Sequence, residues 1–188
     1  MSFLRKVLAA LVPLALAPAV ALAQPVLPNG GGGGGGGGGS PSTPAPGGLI
    51  TKLTGPQLQQ LYVGVQIAGQ TLQTSLKTFD DGSAVVYLPI WGPQVTSGAD
   101  LESCAKDGSG CAAIEFFVNL GQQPSINAAW IEAFNEKIIG GKAYINPDDK
   151  GLVISYAFFM ETGVTKDFIL NATASFKNMV TYAMQFKP

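Results

Sequence analysis

The chain has 188 residues, is 46% hydrophobic and 12% charged, and carries 25 Gly, 13 Pro, two Cys, no His and a formal charge of −1. Without His there is no His-based catalytic triad, no His-ligated metal and no imidazole pH switch. Two Cys cannot build a four-thiolate zinc site, and eleven basic against twelve acidic residues leave no cationic footprint for nucleic acid.

Residues 1–23 read as a secretory signal peptide. Arg5 and Lys6 form a positive start, Val7 to Leu22 an uncharged apolar run, and Ala21-Leu22-Ala23 a cleavage site ahead of Gln24. The run is shorter than the roughly 20 residues of a spanning helix, and Pro13 and Pro18 interrupt it. No Cys follows the site, so a lipid anchor there is excluded. Cleavage leaves nine Lys against twelve acidic residues, a net charge of −3 that suits an exported protein and disfavours polyanions. The expected location is the periplasm or the exterior of a bacterium.

Residues 24–48 include ten consecutive glycines, Gly30 to Gly39, beside a Pro/Ser-rich stretch. Such a segment gains too little by burial to offset its backbone entropy, so a disordered tail is expected. With the signal removed it is a free tail; with the signal retained it is a tether. Residues 49–188 then form one domain.

Thr54-Gly-Pro-Gln opens a helix whose apolar positions Leu58, Leu61, Tyr62, Val65 and Ala68 run up to Gly69. Residues 72–78 alternate as a strand, Asp80-Asp81-Gly82 makes a turn, and Ala84–Trp91 is a second strand in which Pro89 marks an edge or a bulge. Residues 92–100 read as loop. Ala112–Leu120 is the clearest strand, with Ile114, Phe116 and Val118 on one face and Glu115, Phe117 and Asn119 on the other. Ser125 caps a helix to Ile139 with Ile126, Trp130, Phe134 and Ile138 in its stripe. Short strands follow at 142–146 and 152–160. Thr165 then caps a last helix with Phe168, Ile169, Ala172, Phe176 and Val180 in its stripe. The order αβββαββα with hairpin-length turns gives an α+β fold with a twisted antiparallel sheet.

Cys104 and Cys111 flank the turn-rich AKDGSG. In an oxidising compartment the pair is expected to form a disulfide that pins the hairpin. A redox-catalytic pair needs C-x-x-C at a helix start, which this is not.

The run from Cys104 through AAIEFFVNLG, then IEAFNEKIIGGKAYI from Ile131 to Ile145 and GLVISYAFFMETGVT from Gly151 to Thr165, resembles the YbjN family, named for a proposed role in bacterial sensory transduction. The opening LITKLTGPQLQQLY from Leu49 is also similar, so the resemblance covers about 49–186. The family's Asn-x-Trp-Asn-like helix segment looks like Glu132-Ala133-Phe134-Asn135 here: Asn135 matches, Phe134 replaces Trp, and Glu132 departs from the first Asn. Ala143-Tyr144 and Gly163-Val164-Thr165 match further family positions. The resemblance implies a fold similar to type III secretion chaperones, which are commonly dimers that bind extended partner segments.

Several residue groups have two readings. Asp80-Asp81 and Asp148-Asp149 fit turn chemistry better than a calcium loop, and no metal or cofactor site is expected. Glu115, Glu132, Glu136 and Glu161 are possible acids or bases but read as solvated charge. Trp130 and Phe134 form an aromatic helical stripe that is either core or partner surface, and Asn135 is either exposed to a partner or bonded to a neighbouring backbone group. Tyr87, Trp91 and Phe117 lie off the inner sheet face and could line a peptide groove. The leading reading is a non-enzymatic interaction module that binds a protein segment, with a homodimer possible. The alternatives are a small-ligand sensing or structural domain and, less favoured, a carboxylate-based hydrolase.

Overall fold

The computed structural model describes residues 48–67 and 69–187. The signal peptide, its Ala23/Gln24 cleavage site and nearly all of the 24–48 tail lie outside the described residues. The described domain belongs to the compact unit Ser40–Pro188.

Helix α1 spans Gly55–Leu61. At its start the Thr54 amide and hydroxyl both donate to Gln57 Oε1, at 2.9 and 3.1 Å. The helix ends well before the expected Gly69. Gly64 sits at φ +74°, a left-handed conformation that stops a helix, and β-branched Val63 and Val65 flank it. In place of the last helical turns there is a small hairpin, β1 (Gln66–Ile67) with β2 (Gln70–Thr71).

Strands β3 (Ser75–Thr78) and β4 (Ala84–Tyr87) form a hairpin around Asp81, whose carboxylate accepts from the Ser83 amide and hydroxyl. The expected strand to Trp91 stops at Tyr87, because Pro89 cannot donate to a ladder. Strand β5 (Thr96–Cys104) is a second correction: it lies largely where a loop was expected. Its Gly98 looks like a loop residue but serves packing. A Cβ there would lie 2.7 Å from the Val86 oxygen and 3.2 Å from the Phe117 ring, so only glycine fits between them.

Strand β6 (Cys111–Asn119) pairs with β5 and with β8 (Leu152–Phe159), and β7 (Gly141–Ile145) closes the far side. The six strands run in the order β3-β4-β5-β6-β8-β7, every pair antiparallel. The class is α+β as expected, with β5 and the small hairpin added to the expected strands.

Helix α2 (Ala128–Lys137) precedes β7 and α3 (Lys166–Gln185) follows β8. Asn127 rather than Ser125 caps α2, its Oδ1 accepting from the Trp130 amide. Thr165 caps α3 as expected, accepting from the Phe168 amide. The three described helices supply the core on one face of the sheet: Leu58, Leu61 and Tyr62 from α1, Trp130 and Phe134 from α2, Ile169, Phe176 and Val180 from α3. They meet Val86, Leu101, Ile114, Phe116 and Ile154 of the strands. Within this core the Tyr62 hydroxyl donates to Thr173 Oγ1 at 2.8 Å, and Thr173 donates on to the Ile169 carbonyl, tying α1 to α3.

Candidate functional site

The face of the sheet that the described helices leave alone has its own apolar cluster. Val85, Phe117 and Val153 are buried there, with Phe79, Tyr87 and Tyr144 half-buried around them. Every member comes from a strand or a strand turn, none from a helix. Period-2 alternation produces this directly: the residues between the core positions of β4, β6 and β8 all point to this second face.

Two rows cross the face. In one, Lys77, Val85, Asp100, Glu115 and Ala157 are consecutive partners from β3 to β8. In the next, Tyr87, Gly98, Phe117, Ser155 and Lys142 are consecutive partners from β4 to β7. Asp100 and Glu115, directly opposite each other, are only 3% and 4% exposed. The Lys142 side chain reaches over Glu115 from β7. The Lys142 ammonium sits 3.4 Å from Glu115 Oε1 and 5.5 Å from the centre of the Tyr144 ring, while half its side chain remains in solvent. At the opposite side the Lys77 ammonium lies 5.1 Å from the Phe79 ring centre. Among the described residues, Glu115 Oε1 and the buried Ser155 Oγ have no hydrogen-bond partner. Burial raises the Tyr144 phenol well above its ordinary pKa, and the nearby charges of Glu115 and then Asp100 add to the shift.

The residues expected to meet a partner divide. Tyr87 and Phe117 are on the open face. Trp130 and Phe134 are not: both are buried, stacked with ring centres 5.1 Å apart, and the Trp130 indole donates to the Phe186 carbonyl at 3.1 Å. They are core because this stripe of α2 turns inward, where both rings pack edge-on against Phe186 beyond the end of α3. Trp91 is half-buried edge-on against Phe176, 5.7 Å away, on the helical side. Asn135 is engaged by the backbone of β7. Its amide donates to the Ala143 carbonyl and its carbonyl accepts from the Ala143 amide, at 3.1 and 2.6 Å. Glu132, Glu136 and Glu161 are exposed.

The cysteines face each other at the base of the β5–β6 turn with their sulfurs at disulfide distance, 2.11 Å. Cys111 also exchanges two backbone hydrogen bonds with Leu53, so the hairpin anchors the start of the domain. Among the described residues no three His, Cys, Asp or Glu side chains come together to hold a metal ion, and no helix is long and apolar enough to cross a membrane.

A cleft of about 610 Å³ opens between the loop before α2 and the end of α3, lined in part by Leu120, Ile126, Trp130, Leu152 and Phe186.

No protein-family model matches the chain, and no curated protein matches it in sequence. In structure it is similar to the crystal structure of YbjN, described as "a putative transcription regulator from E. coli". The match has a TM-score of 0.51 and 18% identity over 72% of this chain and 90% of that one. The domain has the fold of YbjN. At that identity the likeness is one of fold, and it agrees with the architecture that the motifs from Cys104 to Thr165 imply.

Within the YbjN fold, sequence reasoning missed Asp100, Ser155 and Lys142 as members of one site. The alternation in β6 already put Glu115 and Phe117 on the second face. With β5 unrecognised, nothing placed Asp100 opposite Glu115.

Proposed function

We propose that this chain is an exported, non-enzymatic interaction module that holds a protein segment on the open face of its sheet, in a chaperone- or regulator-like role. One observation carries the reading: the three described helices cover one face, while the other has a separate apolar cluster rimmed by Tyr87 and Tyr144. A half-buried aromatic rim around an apolar floor is the composition of a recognition surface. Likeness in fold to YbjN, itself described as "a putative transcription regulator", is in keeping with a non-enzymatic role. The paired cysteines and the pattern of residues 1–23 support export.

The test is photo-crosslinking in the host. A crosslinking residue at Tyr87 is expected to trap one protein species at high yield, and the same residue at exposed Asn178 on α3 is not. Equal, diffuse crosslinks from both positions would end the proposal. A second reading, small-ligand sensing, is favoured by the 610 Å³ cleft beside Trp130, whose size falls in the range of small-molecule sites. Ligand-dependent Trp fluorescence that a Trp130→Phe variant loses would support it.

A further inference from the structure

The polar row across the open face breaks a local rule. Like charges directly opposite each other across two strands destabilise a sheet, yet Asp100 faces Glu115 in its centre, both buried. Buried carboxylates require a cation and satisfied lone pairs. For Glu115, Lys142 supplies only part of this. Its ammonium stands off at 3.4 Å, its side chain is half in solvent, and Glu115 Oε1 accepts no hydrogen bond from it. One strand over from Glu115, the Ser155 hydroxyl is 1% exposed and has no hydrogen-bond partner among the described residues. Phe117 and Tyr144 provide ring surface on the same face.

The missing group has three properties. It is cationic, it presents several donors in a fixed plane, and its flat body can lie against aromatic rings. A guanidinium has all three, and an ammonium has only the charge. The chain's one arginine is Arg5, outside the described residues.

We propose that the open face receives an arginine side chain from an extended segment of a partner protein, its guanidinium replacing the Lys142 ammonium and donating to Glu115 Oε1 and Ser155 Oγ. Lys142 then acts as the occupant of the free state, a long and half-exposed side chain able to swing into solvent. Residues flanking the arginine lie along Tyr87, Phe117 and Val153. This specifies the partner's chemistry and rests on the interaction-module reading above.

The test titrates the full-length chain with fluorescein-labelled five-residue peptides, Val-Thr-Arg-Thr-Val and its Lys- and Gln-centred analogues, read by anisotropy. The Arg peptide is expected to bind at least about tenfold more tightly than the Gln peptide, the scale of one charge-assisted hydrogen bond, with Lys between them. Glu115→Gln, close in shape, should abolish the preference. Lys142→Met, which keeps the apolar stem and is scored in protein shown by circular dichroism to be folded, should strengthen Arg binding by removing the competitor. Equal binding of the Arg and Gln peptides overturns the inference. So does an unchanged preference in folded Glu115→Gln, or weaker Arg binding in Lys142→Met. Absence of binding by all three peptides overturns it as well, while the broader reading stands or falls separately on the Tyr87 crosslinks.

Discussion

Asn135 makes the most exacting structural prediction, because one side chain closes one edge of the sheet. β7 is an edge strand, and an unpaired edge offers its amides and carbonyls to any other strand. Asn135 fills that position at Ala143 with both halves of its carboxamide, at 2.6 and 3.1 Å. Asn135→Ala removes two hydrogen bonds. Each contributes about 1 kcal/mol net, and because the side chain lies at the surface, water recovers part of the loss, so a total of about 1–2 kcal/mol is expected. Asn135→Asp separates the two bonds. Its carboxylate still accepts from the Ala143 amide, but its second oxygen now faces the Ala143 carbonyl. It should therefore cost at least as much as Ala at neutral pH, and recover stability as acid protonates it and restores a donor. Urea unfolding gives the free energies, and hydrogen exchange at the Ala143 amide gives the local effect. A loss below about 0.3 kcal/mol in Asn135→Ala, with unchanged exchange at Ala143, would refute the reasoning.

Other outcomes follow from the same geometry. Free-thiol labelling of the native protein should find neither Cys104 nor Cys111 reactive, and replacing the pair by Ala should cost roughly 2–3 kcal/mol for a loop of this length; stoichiometric labelling without reductant would contradict it. Tyr62→Phe should cost about 1 kcal/mol by removing the buried bond to Thr173. Burial raises the Tyr62 phenol far above its ordinary value of about 10, so wild-type stability should hold below that pH and fall as pH climbs beyond it. In Tyr62→Phe this component of the alkaline loss should be absent, as paired melting curves across that range would show. Phe134→Ala should cost about 3–5 kcal/mol, the cost of emptying an aromatic core site; a loss under about 1 kcal/mol would mean that α2 is not packed as described.

Strong periodicity made parts of this fold legible in the sequence. β6 sets Ile114, Phe116 and Val118 against Glu115 and Asn119, α3 has a long apolar stripe behind Thr165, and the Cys104–Cys111 turn its Gly- and Asp-rich loop. β5 was not legible because its residues answer to neighbours that are remote in sequence. Gly98 is small for the sake of the Phe117 ring, and Asp100 sits where a strand face normally carries an apolar or neutral residue. α1 was overextended because Val65 and Ala68 fall at helical spacing, while the conformation of Gly64 decides the matter locally. The aromatic stripe of α2 was recognised, but periodicity cannot say whether a stripe faces core or partner. Burial assigns it to the core. For Asn135 the structural alternative is the one realised: its carboxamide bonds to the backbone of β7.

The carboxylate row tests whether the open face is built for stability or for binding. Replacing a buried charged pair by apolar residues of similar volume is often neutral, or stabilising by about 1–4 kcal/mol, whereas removing one member alone leaves the other charge exposed to its full desolvation cost. A double variant, Asp100→Val with Glu115→Leu, would extend the Val85–Phe117–Val153 cluster across the whole face and remove the opposed like charges. If the row exists to hold a partner's cation, this variant should melt at the same temperature as the native protein or higher, and lose the Arg-peptide preference together with the Tyr87 crosslinks. If the two carboxylates and Lys142 instead hold the sheet together, the variant should lose several kcal/mol in urea. A natural sheet that becomes more stable when its central polar row is erased would be carrying that row for something other than its fold.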